Sequence, residues 1–199
     1  MSACLINLGI SFGSRFELTG DVSDLSEAIS VEQRAVLLTP DGHPDMPRYL
    51  NNLGTSFHSR FQPTSDLSDL SEAISIYQYA VQLTPNSHAS MPVLLKNLGD
   101  SFRSRFNLTG DFSSIHIATS IFQKSATSIG HPSARLEAAY RWAQLSKTHN
   151  LPCPVTAYGV AIDLISEIAG TDRTIEQRHT SHKDLKFNHT GCIGRIYSW

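Results

Sequence analysis

Apolar positions along this chain fall three and four residues apart, in short stripes that stop at clusters of turn residues. Leu50, Leu53, Gly54, Phe57 and Phe61 form one such stripe, the spacing of a helix with one buried face. Pro47 stands just ahead of it, where a first helical turn tolerates a missing N–H. Gln62-Pro63-Thr64-Ser65 closes the run as a cluster of breakers. A second stripe follows at Leu70, Ala73, Ile74, Tyr77, Ala80 and Val81, and Leu83-Thr84-Pro85 ends it. The pattern predicts two helices joined by a turn. Asp69 and Glu72 have the spacing of a capping box, as do Asp24 and Glu27, while Ser68 and Asp66 compete for the cap itself.

The same unit recurs. Asn7–Phe16 reads NLGISFGSRF, Asn52–Phe61 reads NLGTSFHSRF and Asn97–Phe106 reads NLGDSFRSRF, identical at eight of ten positions and offset by 45 residues. SDLSEAIS stands unchanged at Ser23–Ser30 and Ser68–Ser75, with a degraded copy at Ser113–Ser120. A fixed period of this size marks a solenoid, in which each unit buries its apolar face against its neighbours. Units are predicted over 1–45, 46–90, 91–130 and 131–169. The fourth is irregular. Leu136, Ala139, Tyr140 and Ala143 make its first stripe with Trp142 alongside, Leu151-Pro152-Cys153-Pro154 breaks the chain, and Val155–Ala169 reads as the last helix. Residues 170–199 read as a partly disordered tail, Asp184–Trp199 most of all, because nothing there ties a terminus to a core. The fold class expected is an all-α array of about four helix pairs.

Three glycines sit inside the first helices, Gly9, Gly54 and Gly99. Gly costs about 1 kcal/mol against Ala in a helix, so its return on the apolar stripe predicts a neighbouring helix too close for a Cβ. Ala28, Ala73 and Ala118 repeat in the same sense on the second helices. The connections between units, Thr39-Pro40-Asp41-Gly42-His43 and Thr84-Pro85-Asn86-Ser87-His88, are turn-rich and polar, which places them along one edge of the stack. His43 and His88 hold equivalent positions, and a turn or capping role is expected for both.

Composition narrows the function classes. Apolar residues make 40% of the 199 residues, enough for a packed core, and the net charge of −2 supplies no general attraction to nucleic acid or anionic membrane. No run of 18 apolar residues is present, so no membrane span is expected. The first residues lack the basic start of a signal peptide. Three cysteines without a framework spacing, Cys4, Cys153 and Cys192, read as reduced thiols of a cytosolic or nuclear protein.

Candidate chemistry is sparse. His179, His182, His189 and Cys192 are ligand types that suit zinc, but their spacing fits no standard finger, and a solvated tail is the stronger reading. Cys153 would be a nucleophile only beside a positioned base, and none is identifiable. No phosphate-binding glycine loop or nucleophile elbow occurs. No catalytic residue, metal site or cofactor is expected. Asp21, Asp66 and Asp111 recur once per unit and read as helix caps. Arg15, Arg60 and Arg105 recur near the ends of first helices, where a cation is favourable, with those same aspartates as expected partners in a long turn.

Leu53, Gly54, Phe57, Ala73, Tyr77, Ala80 and Pro85 together resemble the tetratricopeptide repeat (TPR). The unit departs in length, 45 residues against the ordinary 34 of that family, with the surplus expected mainly in the turn between paired helices. Unit one also departs by placing Glu32 where Tyr77 and Phe122 stand. The phrases NLGxSFxSRF, TGDxSDLSEAIS and LTPDGHPDMP resemble more specifically the long repeats of fungal, mainly basidiomycete, proteins in which a caspase-like CHAT peptidase domain commonly follows. That resemblance runs to about residue 182, and no peptidase domain is in this sequence. It implies a TPR-like helix-hairpin solenoid, a right-handed superhelix, whose first helices line a concave groove. The groove positions it assigns are Ile6, Ile10 and Gly13 in unit one, Arg48, Asn51, Thr55 and His58 in unit two, and Val93, Lys96, Asp100 and Arg103 in unit three. They grade from apolar to polar and basic, which suits a protein or peptide partner with an apolar anchor and an acidic segment. The function expected is a non-catalytic interaction scaffold. The alternative is the detached regulatory region of a CHAT-type peptidase protein, and a metal-dependent or thiol enzyme is a distant third.

Overall fold

The computed structural model describes residues 1–170. Helix α1 spans Ser2–Thr19, α2 Val22–Leu37, α3 Met46–Thr64, α4 Leu67–Leu83, α5 Met91–Thr109, α6 Phe112–Thr127 and α7 Pro132–Thr148. An eighth, α8, covers 154–170. No strand occurs among the described residues. The chain is thus all-α, and consecutive helices pack as antiparallel neighbours in a TPR-like hairpin array. The tail proposed after residue 170, with its histidines and Cys192, lies outside the described residues.

The turn inside each pair is short, contrary to expectation. Only Gly20-Asp21, Ser65-Asp66 and Gly110-Asp111 separate the paired helices. The surplus residues lengthen the helices instead, to 18 and 16 residues in the first pair and 19 and 17 in the second. Repeated side chains hold this turn together. Asp21, Asp66 and Asp111 cap the second helices, accepting from the backbone N–H of Ser23, Ser68 and Ser113 at 2.8–3.0 Å, as read from the sequence. Thr19, Thr64 and Thr109 donate to the carbonyls of Arg15, Arg60 and Arg105 and accept from the backbone N–H of the capping aspartates. The first helices of the first three pairs then end on a residue in the left-handed region, Gly20 (φ 72°), Ser65 (φ 56°) and Gly110 (φ 69°). A Cβ is disfavoured there, so Ser65 is the weak copy. Ser65→Gly is expected to stabilise the protein by about 1 kcal/mol, measured by urea unfolding.

Two of the recurring arginines find a different partner from the one expected, while Arg105 keeps Asp111 at 4.0 Å. Arg60 reaches Asp69 through Nε at 2.8 Å and through a terminal nitrogen at 2.6 Å. Arg15 makes the same two-pronged contact with Asp24. Asp24 and Asp69 are the third residues of α2 and α4, and their carboxylates are buried. They serve the arginines, so the capping boxes suggested by Glu27 and Glu72 do not form. In the third pair Ser114 replaces the aspartate. Arg105 donates to its hydroxyl at 2.7 Å, and that hydroxyl donates to Asp111 at 2.8 Å. Each guanidinium also lies over the preceding phenylalanine of its helix, 5.1 Å from the Phe12 ring, 5.6 Å from Phe57 and 4.7 Å from Phe102, a favourable cation–π placement. The phrase SFxSRFxxT thus locks its hairpin through the residues that follow it, and Arg60 also donates to the Ser26 hydroxyl of the preceding pair at 3.2 Å.

Above the hairpins, the stack is asymmetric. Each second helix packs on the first helix of the next pair, and first helices also meet one another (α1 on α3, α3 on α5, α5 on α7). The backbones of α2, α4 and α6 do not come within 8 Å of one another, Cα to Cα. First helices therefore form the closed, inner side of the stack. The glycine expectation is met between paired helices. A Cβ on Gly54 would come 2.8 Å from Cε1 of Tyr77, and one on Gly99 would come 2.8 Å from Cε1 of Phe122. The main core runs through Phe57, Phe61, Tyr77, Phe102, Phe122 and Trp142 to Leu164.

Candidate functional site

A cleft along the connections, a second cleft between first helices and a charge cluster divide the sequence-predicted groove residues among them. The larger cleft, about 720 Å³, opens where the connections between pairs meet the starts of α3 and α5. Arg48, Asn51 and Val93 line it, joined by Met46, Tyr79 and Leu83, which the sequence reading did not single out. Pro44 and Pro85 of the connections line its rim, and the histidines at 43, 88 and 131 stand along it. His43 Nδ1 accepts from the backbone N–H of Asp45 at 3.1 Å, and His88 Nδ1 accepts from that of Ser90 at 3.2 Å. Both rings thus hold the turn entering the next helix, the role expected of them. The wall is apolar with a polar end, since Arg48 lies over the Tyr49 ring at 5.0 Å and pairs with Asp45 at 3.3 Å.

The smaller cleft, about 230 Å³, lies between α1 and α3. Ile10, Gly13 and Thr55 line it, as does Glu32 of α2. Ile10 is half-exposed, but Ile6, one turn earlier, is wholly buried. Ile6 packs with Ala35 and Tyr49, because α2 and α3 close over that position, so it lies beneath the face and is no contact residue. The Thr55 hydroxyl donates to the Asn51 carbonyl at 2.8 Å and meets the Tyr77 hydroxyl at 3.0 Å.

Polar rungs join the first helices. Asn97 Nδ2 donates to Asn51 Oδ1 at 2.9 Å, and His58 Nε2 lies 3.1 Å from the Ser104 hydroxyl. Burial, aided by the charge of Arg103, pushes the His58 pKa down, which favours the neutral ring. Toward the fourth pair the rungs become ionic. Lys96 pairs with Glu137 at 3.1 Å. Asp100 receives both Arg103, at 3.3 Å, and Arg141 of α7. Burial pushes the Asp100 pKa up, against the pull of its two arginines and Lys96. Arg48, Lys96 and Arg103 are thus all paired within the protein, and most of their attraction for an acidic segment is spent internally. Arg141 and Glu137 escaped the sequence reading because the fourth pair breaks the period.

Reactive chemistry is thin among the described residues. Cys4 and Cys153 are free and exposed, no group of three metal-ligating side chains converges, and no helix is long and apolar enough to cross a membrane.

No family model and no curated protein sequence matches this chain. Solved structures do match it in shape. The nearly identical TPR-like repeats of a Podosopora anserina protein named as a kinesin light chain superpose with a TM-score of 0.59, at 13% identity, over 86% of this chain and 78% of that one. A point variant of that protein gives 0.59 and 13% over 85% and 77%. At that identity the likeness carries the fold and nothing finer: the chain has a TPR-like helical repeat fold.

Proposed function

We propose that this protein is a non-catalytic interaction scaffold that holds a peptide segment of a partner protein on its inner side. The observation that carries the reading is the 720 Å³ cleft at the junction of the second and third pairs, with Met46, Tyr79, Leu83 and Val93 for an apolar anchor and Arg48 and Asn51 at its polar end. A concave site with apolar walls and a few polar groups is the usual form of a recognition pocket. The residues identical in every pair are consumed by the hairpin lock, which leaves partner choice to the positions that differ. An acidic group on the partner would have to compete with Asp45 for Arg48, so the apolar anchor supplies most of the affinity. Nucleic acid and membrane are not part of this proposal. A cytosolic or nuclear location fits the free thiols.

A photoreactive phenylalanine analogue tests this. Placed at Val93 it should crosslink to a partner in cell extract, and placed at Ser23, exposed at the hairpin end of α2 and outside the cleft lining, it should not. Val93→Arg should weaken capture of that partner at least tenfold with unchanged helicity. Equal capture from both positions, or binding indifferent to Val93→Arg, would move the site off this cleft. The alternative, a detached regulatory region of a CHAT-type peptidase protein, keeps the same binding side and differs only in the partner. It rests on the repeat phrases, and a caspase-like reading frame beside the gene would favour it.

A further inference from the structure

Glu32 is the odd residue of the array. The second and third pairs place Tyr77 and Phe122 at the equivalent position, and those rings fill the space over Gly54 and Gly99. Glu32 is 1% exposed and narrower than a ring. Its Oε1 lies where a Cβ on Gly9 would come within 2.7 Å, while its Oε2 is buried with no hydrogen-bond partner. The 230 Å³ cleft opens beside it. A buried oxygen of this kind costs free energy until something donates to it. What can donate is limited by the lining. Glu17 is a second carboxylate there, Ser56 and Ser59 add hydroxyls, and no Lys, Arg or His is among the lining residues. The walls beside the carboxylate are apolar, from Ile10 and Leu25.

We propose that this cleft is a subsite for a lysine side chain of the bound partner, its ammonium set against Glu32 Oε2 and its methylene stem along Ile10 and Leu25. The proposal deepens the scaffold reading and rests on it for placing the lysine on a partner chain. One feature selects lysine over arginine. A guanidinium is best matched by both oxygens of a carboxylate, and here Oε1 is turned against Gly9. A single oxygen with no donor of its own, in a lining that also holds the Ser56 and Ser59 side chains, fits the point charge and three donors of an ammonium. Burial raises the Glu32 pKa to about 7, with the Ser56 hydroxyl pulling the other way. An arriving cation favours the ionised form, so binding is expected to release a proton near neutrality.

The test is a titration of the full chain at pH 7.5, read by amide shifts at Gly9, Gly13 and Ser59. The probe is the capped tripeptide acetyl-Gly-Lys-Gly-amide, compared with its Nε-acetyl-lysine and arginine counterparts. Saturable shifts are expected with the lysine peptide. Binding at least tenfold weaker is expected with the acetyl-lysine peptide, with the arginine peptide and with the lysine peptide on Glu32→Gln. Glu32→Phe, which places in the cleft the ring that Phe122 supplies in the third pair, should abolish the shifts while keeping the protein folded. No saturable shift in the wild type, equal binding to Glu32→Gln, or tighter binding of the arginine peptide overturns the assignment. Crosslinking from Val93 reads the scaffold separately, so a silent cleft beside a live Val93 crosslink removes the lysine subsite alone.

Discussion

Gly54→Leu should lower stability by about 2 kcal/mol. Even the first added carbon would stand 2.8 Å from the Tyr77 ring. That ring is 2% exposed, and its hydroxyl is tied to Thr55 at 3.0 Å, so it cannot swing aside. Overpacking of this kind costs about 1–3 kcal/mol and occasionally more, against a return of about 1 kcal/mol from removing glycine from a helix interior. The damage falls inside the second pair, which separates the first pair from the third, and coupling between neighbours is what stabilises such an array. Thermal unfolding should shift down by about 4–8 °C, at about 2–4 °C per kcal/mol for a protein of this size. Gly13→Ala is the contrasting case, since a Cβ there meets nothing within 4 Å. It should be neutral or slightly stabilising. A melting curve unmoved by Gly54→Leu would refute the packing role of these glycines.

Glu32→Gln should act in the opposite direction, and only above mildly acidic pH. The carboxyl of Glu32 titrates at about 7 in the folded protein against 4.5 for an unperturbed glutamate, because burial penalises the charge. Below pH 4.5 it is neutral in both states and costs nothing. Between pH 4.5 and 7 the unfolded chain releases the proton first, so stability falls as pH rises, and above 7 the full penalty of about 3 kcal/mol applies. The amide never ionises. The variant should therefore match the wild type near pH 4 and exceed it by about 2–3 kcal/mol at pH 8. Asp24, held low by its hydrogen bond to Arg15, and Asp111, held low by Ser113 and Ser114, lose stability in the acid direction. Both are present in each protein, so the difference between two sets of denaturant curves isolates Glu32. A variant no more stable than wild type at pH 8 would show that the folded protein does not bury this charge.

The helices were legible because burial on one side writes a stripe, and the close approach was legible because glycine inside a helix needs a reason. The hairpin lock was only half legible. Asp21, Asp66 and Asp111 can be recognised as caps from local chemistry alone. That Arg60 takes Asp69 depends on how two antiparallel helices meet across a two-residue turn, and the polar ends Ser14-Arg15 and Ser59-Arg60 read equally well as turn or helix. On the inner side, Ile10, Arg48, Asn51, Thr55 and Val93 do line clefts. Ile6 shares the stripe of Ile10, yet it faces α2 and α3, a distinction of about one helical turn that spacing alone does not make. The rungs between first helices join residues 46 apart, as in Asn51–Asn97 and His58–Ser104. Asp100 and Arg141 are 41 apart, because the connection into the fourth pair is shorter, and that slip hides the ionic partners of the third pair from any argument built on the repeat.

The asymmetry of the stack has a mechanical meaning. Its inner side is laced by helix contacts, polar rungs and ion pairs, whereas α2, α4 and α6 stand apart on the outer side. A rod fastened along one edge bends most readily about that edge. A tilt of one pair on the next opens or closes the gaps between second helices, and what resists it is the packing of α2 on α3 and of α4 on α5. Changes of curvature are therefore expected to fall on the open side, while the spacing of side chains along the fastened edge, where a partner's residues would have to register, stays nearly constant.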